Sequence, residues 1–170
     1  MYPIVLGLIA CILLSYKFKN KVPDVILINK PTGKIYLRRW WLIPRNKFGF
    51  NIYLHHFLSS DEDRALHDHP WWNISILLWG SYLEHMPKDY NKWINDNDRT
   101  EIIVKRYPLV PVYRGANAIH RIELINEKPV WTLFITGPVV QQWGFWCTNF
   151  WRSHEEFLDI TGTTKGKGCD

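Results

Sequence analysis

The sequence predicts an all-β domain, a sandwich or a barrel, and three observations carry that reading. Short segments rich in branched and aromatic side chains recur between residues 24 and 147. Pro, Gly, Asn and Asp separate them, and no long stretch shows a helical repeat of apolar positions. With 170 residues, 46% of them hydrophobic and 15% aromatic, the chain is long enough for one domain with a sizeable core and too short for two domains.

The segments follow one another in a regular order. "DVILIN" (24–29) begins beyond a linker at Pro23, and "KIYLRRWWLI" (34–43) follows Gly33. "FNIYLHHFL" (50–58) comes after Gly49, and "NISILLWGSYLEHM" (73–86) has to turn at Gly80. "TEIIVKRY" (100–107) follows an Asn/Asp cluster, then come "PVYRG" (111–115) and "IHRIELI" (119–125) on either side of a Gly/Asn turn. "VWTLFITG" (130–137) and "QWGFWC" (142–147) flank a turn at Gly137 and Pro138. One turn of helix is expected in "SSDEDRALHDH", with Ser60 as its cap, and another in "FWRSHEEFLDI" (150–160). Residues 22–160 form the domain, and "TGTTKGKGCD" (161–170) reads as a flexible tail.

Residues 1–16, "MYPIVLGLIACILLSY", carry no charge and open an apolar segment running to residue 21. As a helix they would reach about 24 Å, short of a hydrocarbon core of about 30 Å. A secretory signal would need positive side chains before this run and a small-residue cleavage site after it, and has neither. Lys17, Lys19 and Lys21 would keep the body in the cytoplasm by the positive-inside tendency. A short apolar anchor with a cytoplasmic domain is the favoured reading. A segment packed on its own domain or on a partner is the alternative, and length does not choose between them.

The formal charge of +5 is spread through the chain in short groups at Lys17–Lys21, Arg38/Arg39 and Lys165/Lys167. No basic stripe with interleaved aromatics exists, so no nucleic-acid partner is expected. Cys11, Cys147 and Cys169 lie far apart and form neither a disulfide framework nor a metal knuckle, which fits a reducing compartment. Cys147 is expected as buried filler.

"LHDHPWWN" (66–73) is where chemistry concentrates. If the stretch is extended, His67 and His69 leave the same face and can converge on one ion. Asn73 and Trp71 share their parity, and Asp68 between the ligands should point away and fix a loop. Far downstream, His120 follows a Gly/Asn turn at the start of another strand.

Together "HDHPWWNISILLWG" and "YRGANAIHRIEL" resemble the two motifs of the cupin superfamily: an H-x-H pair, a further ligand, six residues and a glycine, then a second histidine after a tight turn. The resemblance covers residues 34–147. It implies a double-stranded β-helix, a jelly-roll barrel with a divalent metal in its mouth, and the pairing of two copies into a homodimer. The chain departs from the family pattern at Asn73, where Glu is common, at Asp61, where a glycine is common, and at Ala116 and Asn117 before the last histidine. Loss of the carboxylate leaves His67, His69 and His120 as ligands, similar to the three-histidine sites of thiol dioxygenase-type cupins. Such a site implies Fe(II), with Zn, Ni, Mn or Cu as alternatives, because imidazole suits them all.

Other residues carry weaker expectations. Asn73 is read as a donor that orients a water, and Glu84 as a general base if the turn at Gly80 keeps the strand phase. Arg114 is preferred over Arg38 and Arg121 to hold an anionic group of a small-molecule substrate, and Trp71 to wall the pocket. Only one of His55 and His56 can face the interior, and His85 and His154 read as surface or interface residues. The function expected is a metal-binding cupin-like oxidoreductase, a non-haem iron dioxygenase. The alternatives are a metal-dependent isomerase, epimerase or lyase, and a non-catalytic jelly-roll binding module.

Overall fold

The computed structural model describes residues 17–28, 33–46, 48–61, 65–158 and 168–169. Twelve strands, β1 (Val25–Ile28), β2 (Ile35–Trp41), β3 (Asn51–Phe57), β4 (Leu66–His67), β5 (Asn73–Trp79), β6 (Tyr82–Pro87), β7 (Glu101–Arg106), β8 (Pro111–Arg114), β9 (Arg121–Leu124), β10 (Val130–Thr136), β11 (Gly144–Trp146) and β12 (Trp151–Ser153), dominate the described residues. Short helices accompany them, among them α1 (Tyr90–Asn95), α2 (His154–Leu158) and a 3-10 turn (Ile125–Glu127).

One sheet has the order β1-β2-β3-β10-β5-β8. Facing it, β7-β6-β9 continues through a bridge between His67 and His120 into β4-β11-β12. The strands β3-β10-β5-β8 lie against β4-β9-β6-β7, all paired antiparallel, which is the strand order of a jelly roll built from two Greek keys. The fold is the double-stranded β-helix of the cupins, as the two motifs imply.

Leu37, Phe57, Leu77, Tyr82, Ile122, Leu124 and Val130 from both sheets form the core between them. The alternate residues Trp40, Leu54, Leu78 and Trp131 form a second apolar layer on the outer face, covered by Phe18 at 6.0 Å from Trp40. Alternation along β2, β3 and β10 therefore serves two cores, and these strands read as almost continuous apolar runs. The hairpin from β5 to β6 turns at Gly80, whose φ of +86° suits glycine. A Cβ there would come within 2.8 Å of Val130 Cγ1.

Several expectations need correction. The Ser60 hydroxyl accepts from the backbone N–H of Leu124 on the facing sheet, and the helical turn expected after it falls on residues 62–64, outside the described residues. α1 was not expected; its first turn is held by the carboxylate of Asp89, which accepts from Lys92 N. Cys147 is no unpaired filler, since it forms a disulfide with Cys169. The two lie 22 residues apart, with nothing in their spacing to announce a pair. The chain near Cys169 is not loose either: Arg152 donates to Gly168 O, and Gly168 N donates to Phe157 O. Residues 1–16 and 161–167 lie outside the described residues. Among the described residues no helix is long and apolar enough to cross a membrane.

Candidate metal centre

β4 owes its pairing to residues on both sides of it. His67 exchanges backbone hydrogen bonds with His120, Asp68 N donates to Gly144 O, and His69 N donates to Ala116 O. Leu66 faces outward against Trp93 and Ile119, so strand alternation turns His67 and His69 inward. Asp68 points away from them and accepts from Gly144 N and from the indole N–H groups of Trp146 and Trp151, the loop-fixing role its parity implies.

The three imidazoles form a nearly regular triangle. Ring centroids stand 5.0 Å apart for His67 and His69, 5.1 Å for His67 and His120, and 5.0 Å for His69 and His120. One nitrogen from each lies within 4.8 Å of the others, close enough for one metal ion to reach all three. Nδ1 of His69 and Nε2 of His120 are buried and meet no protein partner among the described residues. Burial pushes His67 down to about 4 and His69 well below its ordinary value, with neighbouring imidazoles adding to the effect on both. Neutral rings with unspent lone pairs are the state a metal needs, so this donor set fits a divalent transition metal.

Glu84 stands behind His120, fully buried. Its Oε1 lies 2.7 Å from His120 Nδ1 and 2.6 Å from Arg114 Nε, and its Oε2 lies 2.5 Å from Arg106 Nε. The contact to His120 has ion-pair distance without the alignment of a regular hydrogen bond. Burial works against this carboxylate's charge, but His120 and Arg114 outweigh it and hold Glu84 well below the usual carboxylate range. Glu84 was expected as a free base. It sits instead in a network that can fix the tautomer of His120 and leave Nε2 for a metal.

Arg114 was expected to meet substrate, yet its guanidinium is engaged with Glu84, Asn73 Oδ1 and Tyr82 Oη. Asn73 is fully buried, its Nδ2 without a partner among the described residues. Trp71 stands 4.9 Å from His69 and edge-on to Phe134 at 5.5 Å. His55 is the inward member of its pair, and His56 stacks on Trp131 at 4.1 Å on the outer face.

Sequence reasoning missed Arg39, which shares the inward parity of Leu37 and donates from Nε to His55 Nε2. That parity was the available signal; beside Arg38 it counted only as part of a short basic group. His85 is also not a surface residue. It is buried on the far face of its sheet between Glu101 and Glu123, at 3.0 and 2.8 Å. A small cavity of about 90 Å³ lined by Trp93, Arg99, Glu101 and Arg121 lies on that same outer side, away from the three histidines.

No family model matches this chain, and no curated protein matches it. Solved structures similar in shape include a DMSP lyase from Ruegeria pomeroyi DSS-3 (14% identity, TM-score 0.46, 65% of this chain and 50% of that one). A cupin domain from Bordetella pertussis Tohama I matches at 10% identity and TM-score 0.43, covering 61% of this chain and 94% of that one. A cupin-2 domain from Rhodospirillum rubrum matches at 10% identity and TM-score 0.47, covering 64% of each chain. The chain spans half the length of the lyase. Strand order and bridge pattern make this chain a cupin-fold barrel, with three inward histidines that could hold a metal ion.

Proposed function

We propose that this chain is a metal-dependent enzyme acting on a small molecule, with His67, His69 and His120 as the metal ligands and Fe(II) as the working ion in a dioxygenase reaction. The observation that carries the reading is the meeting of three imidazole nitrogens within 4.8 Å of one another. Three side-chain ligands leave positions open, and a metal bound there supplies Lewis-acid and redox chemistry to whatever fills them. The chain's own residues do the rest. Glu84 holds His120 in position, Trp71 and Phe134 keep water from the approach, and Asn73 offers an amide donor into the same space.

The test is elemental analysis of the purified protein, followed by oxygen uptake of the iron-loaded protein against a panel of small organic acids. The proposal expects one metal per chain, lost in His67→Ala, and substrate-dependent oxygen consumption. Turnover that proceeds equally without oxygen would place the reaction in the isomerase, epimerase or lyase class. Absence of stoichiometric metal after reconstitution would reject the enzyme reading and leave a binding module.

A further inference from the structure

Asn51 and Thr136 are directly paired at the same end of β3 and β10, so the segments 42–50 and 137–143 leave the barrel side by side. Both present apolar side chains to solvent. Phe48 is 92% exposed, and Phe50, Val139 and Val140 are each more than half exposed. A group of this kind on a folded domain marks a contact surface.

The first segment is built into a fixed turn. Asn46 Oδ1 accepts from the backbone N–H groups of Phe48 and Gly49, at 2.9 and 3.2 Å. Asn46 N donates to Asn51 Oδ1 at 2.7 Å, and Asn51 Nδ2 donates back to Asn46 O at 2.6 Å. A Cβ at Gly49 would stand 2.7 Å from Asn46 Nδ2, so the turn is tightly closed. The second segment is held by Gly137 N, which donates to Trp72 O, and by Val140 N, which donates to Pro70 O. Side-chain amides thus order a turn that leaves Phe48 uncovered, and little freedom remains to be lost when a partner meets it.

Two observations choose the partner. The first is charge. Segments 42–50 and 137–143 contain no Asp or Glu, and Arg45 is exposed with no carboxylate partner among the described residues. Asp24 accepts from Trp41 N below the turn, but the exposed Lys17, Lys19 and Lys21 outnumber it. By contrast, the exposed Ile102 and Ile103 of β7 follow Glu101 on the facing sheet. The second is the course of the chain. Phe18 packs on Trp40 in the cluster that Leu42 joins, so the polypeptide enters the described domain at the base of this same turn. Residues 1–16 before it carry no charge. Apolar tips, a basic surround and an adjoining uncharged segment match a bilayer surface with anionic headgroups, whose polar layer suits cations and whose acyl boundary suits Phe and Val.

We propose that Phe48, Phe50, Val139 and Val140, with Arg45 beside them, form a membrane-docking tip that seats the domain on an anionic bilayer, the four apolar side chains entering the acyl boundary and Arg45 meeting the headgroups. The tip is a contact separate from any made by residues 1–16, and it stands independently of the metal centre.

The test uses the full-length chain and vesicles of phosphatidylcholine with or without phosphatidylserine. In a Cys11→Ser background, where Cys147 and Cys169 are paired, Phe48→Cys gives one reactive thiol at the tip and Ile103→Cys one on the opposite sheet. Vesicles with phosphatidylserine should slow modification of the thiol at position 48 by a water-soluble reagent at least about tenfold and leave that at position 103 unaltered. This readout reports the tip itself, however strongly residues 1–16 hold a membrane. Leaving out phosphatidylserine should reduce the protection severalfold, as should Arg45→Gln combined with Phe48→Cys. Val140→Cys should be protected in the same way, and it carries the test should Phe48→Cys not fold. A thiol at the tip equally reactive with and without vesicles, equal protection at position 103, or protection that grows with protein concentration in the absence of vesicles, the mark of a second copy, would overturn the proposal.

Discussion

His67 and His120 hold each other through the main chain. His67 N donates to His120 O at 2.9 Å, and His120 N donates to His67 O at 3.0 Å. This reciprocal pair is the bridge that joins β4 to the start of β9 and so closes one side of the barrel. Side chains of directly paired residues leave the same face of a sheet, which is why two histidines 53 positions apart meet, with His69 completing the triangle from the next inward position.

Glu84→Gln should separate two roles of the carboxylate. It leaves Arg106 and Arg114 without their anion in a buried place, a loss of about 3 kcal/mol for a broken buried pair. It also removes the anchor of His120, which should weaken metal binding by about 10–100-fold. Denaturant unfolding of the metal-free protein and competition against a chelator measure the two separately.

Asp68→Ala should destabilise without touching the ligands themselves. Three donors, Gly144 N and the indoles of Trp146 and Trp151, lose a charged acceptor, at a cost of about 2–3 kcal/mol. Asp68→Asn keeps one amide oxygen and should lose less. Thermal unfolding of the two variants checks the order.

Metal-free protein should lose stability as pH falls from about 6.5 toward about 4. Burial, then the charges of Arg38 and Lys19, push His56 down to about 4, and burial does the same for His67. Their folded values lie below the unfolded one near 6.5, so the unfolded chain binds more protons in this window and gains from acid. Each group contributes at most about 1.4 kcal/mol per pH unit, and His56 less because it is partly exposed. Urea midpoints between pH 7 and pH 4 should fall, and His56→Phe should flatten the slope.

Reduction should loosen the end of the domain. The Cys147–Cys169 bond closes a loop of 22 residues, and loop closure of that length stabilises by about 3 kcal/mol in the chain-entropy account. Unfolding temperature should drop with reductant, and Cys169→Ser should show the lower value with or without it. Two freely alkylated thiols in protein purified without reductant would contradict the pairing.

Much of the barrel was legible because two periods agree. Strand segments alternate with turn residues, and His67 and His69 share a face by parity alone. His120 could be found because it stands after a turn at a strand start. What escaped was whatever depends on a partner distant in sequence. Glu84 looked like a free carboxylate because its cations, Arg106 and Arg114, come from β7 and β8, and no local pattern links them. Arg39 counted only as part of a short basic group with Arg38, because β2 packs on both faces and shows no clean alternation. The disulfide joins a strand end to the carboxyl-terminal segment, which spacing does not encode.

Metal content per chain, measured by elemental analysis on the reconstituted protein and on His67→Ala, His69→Ala and His120→Ala, tests the central claim most directly. The account predicts close to one divalent ion per wild-type chain and loss of it in each of the three variants, His120→Ala included. Stoichiometric metal retained without His120, or none in the wild type, would contradict it.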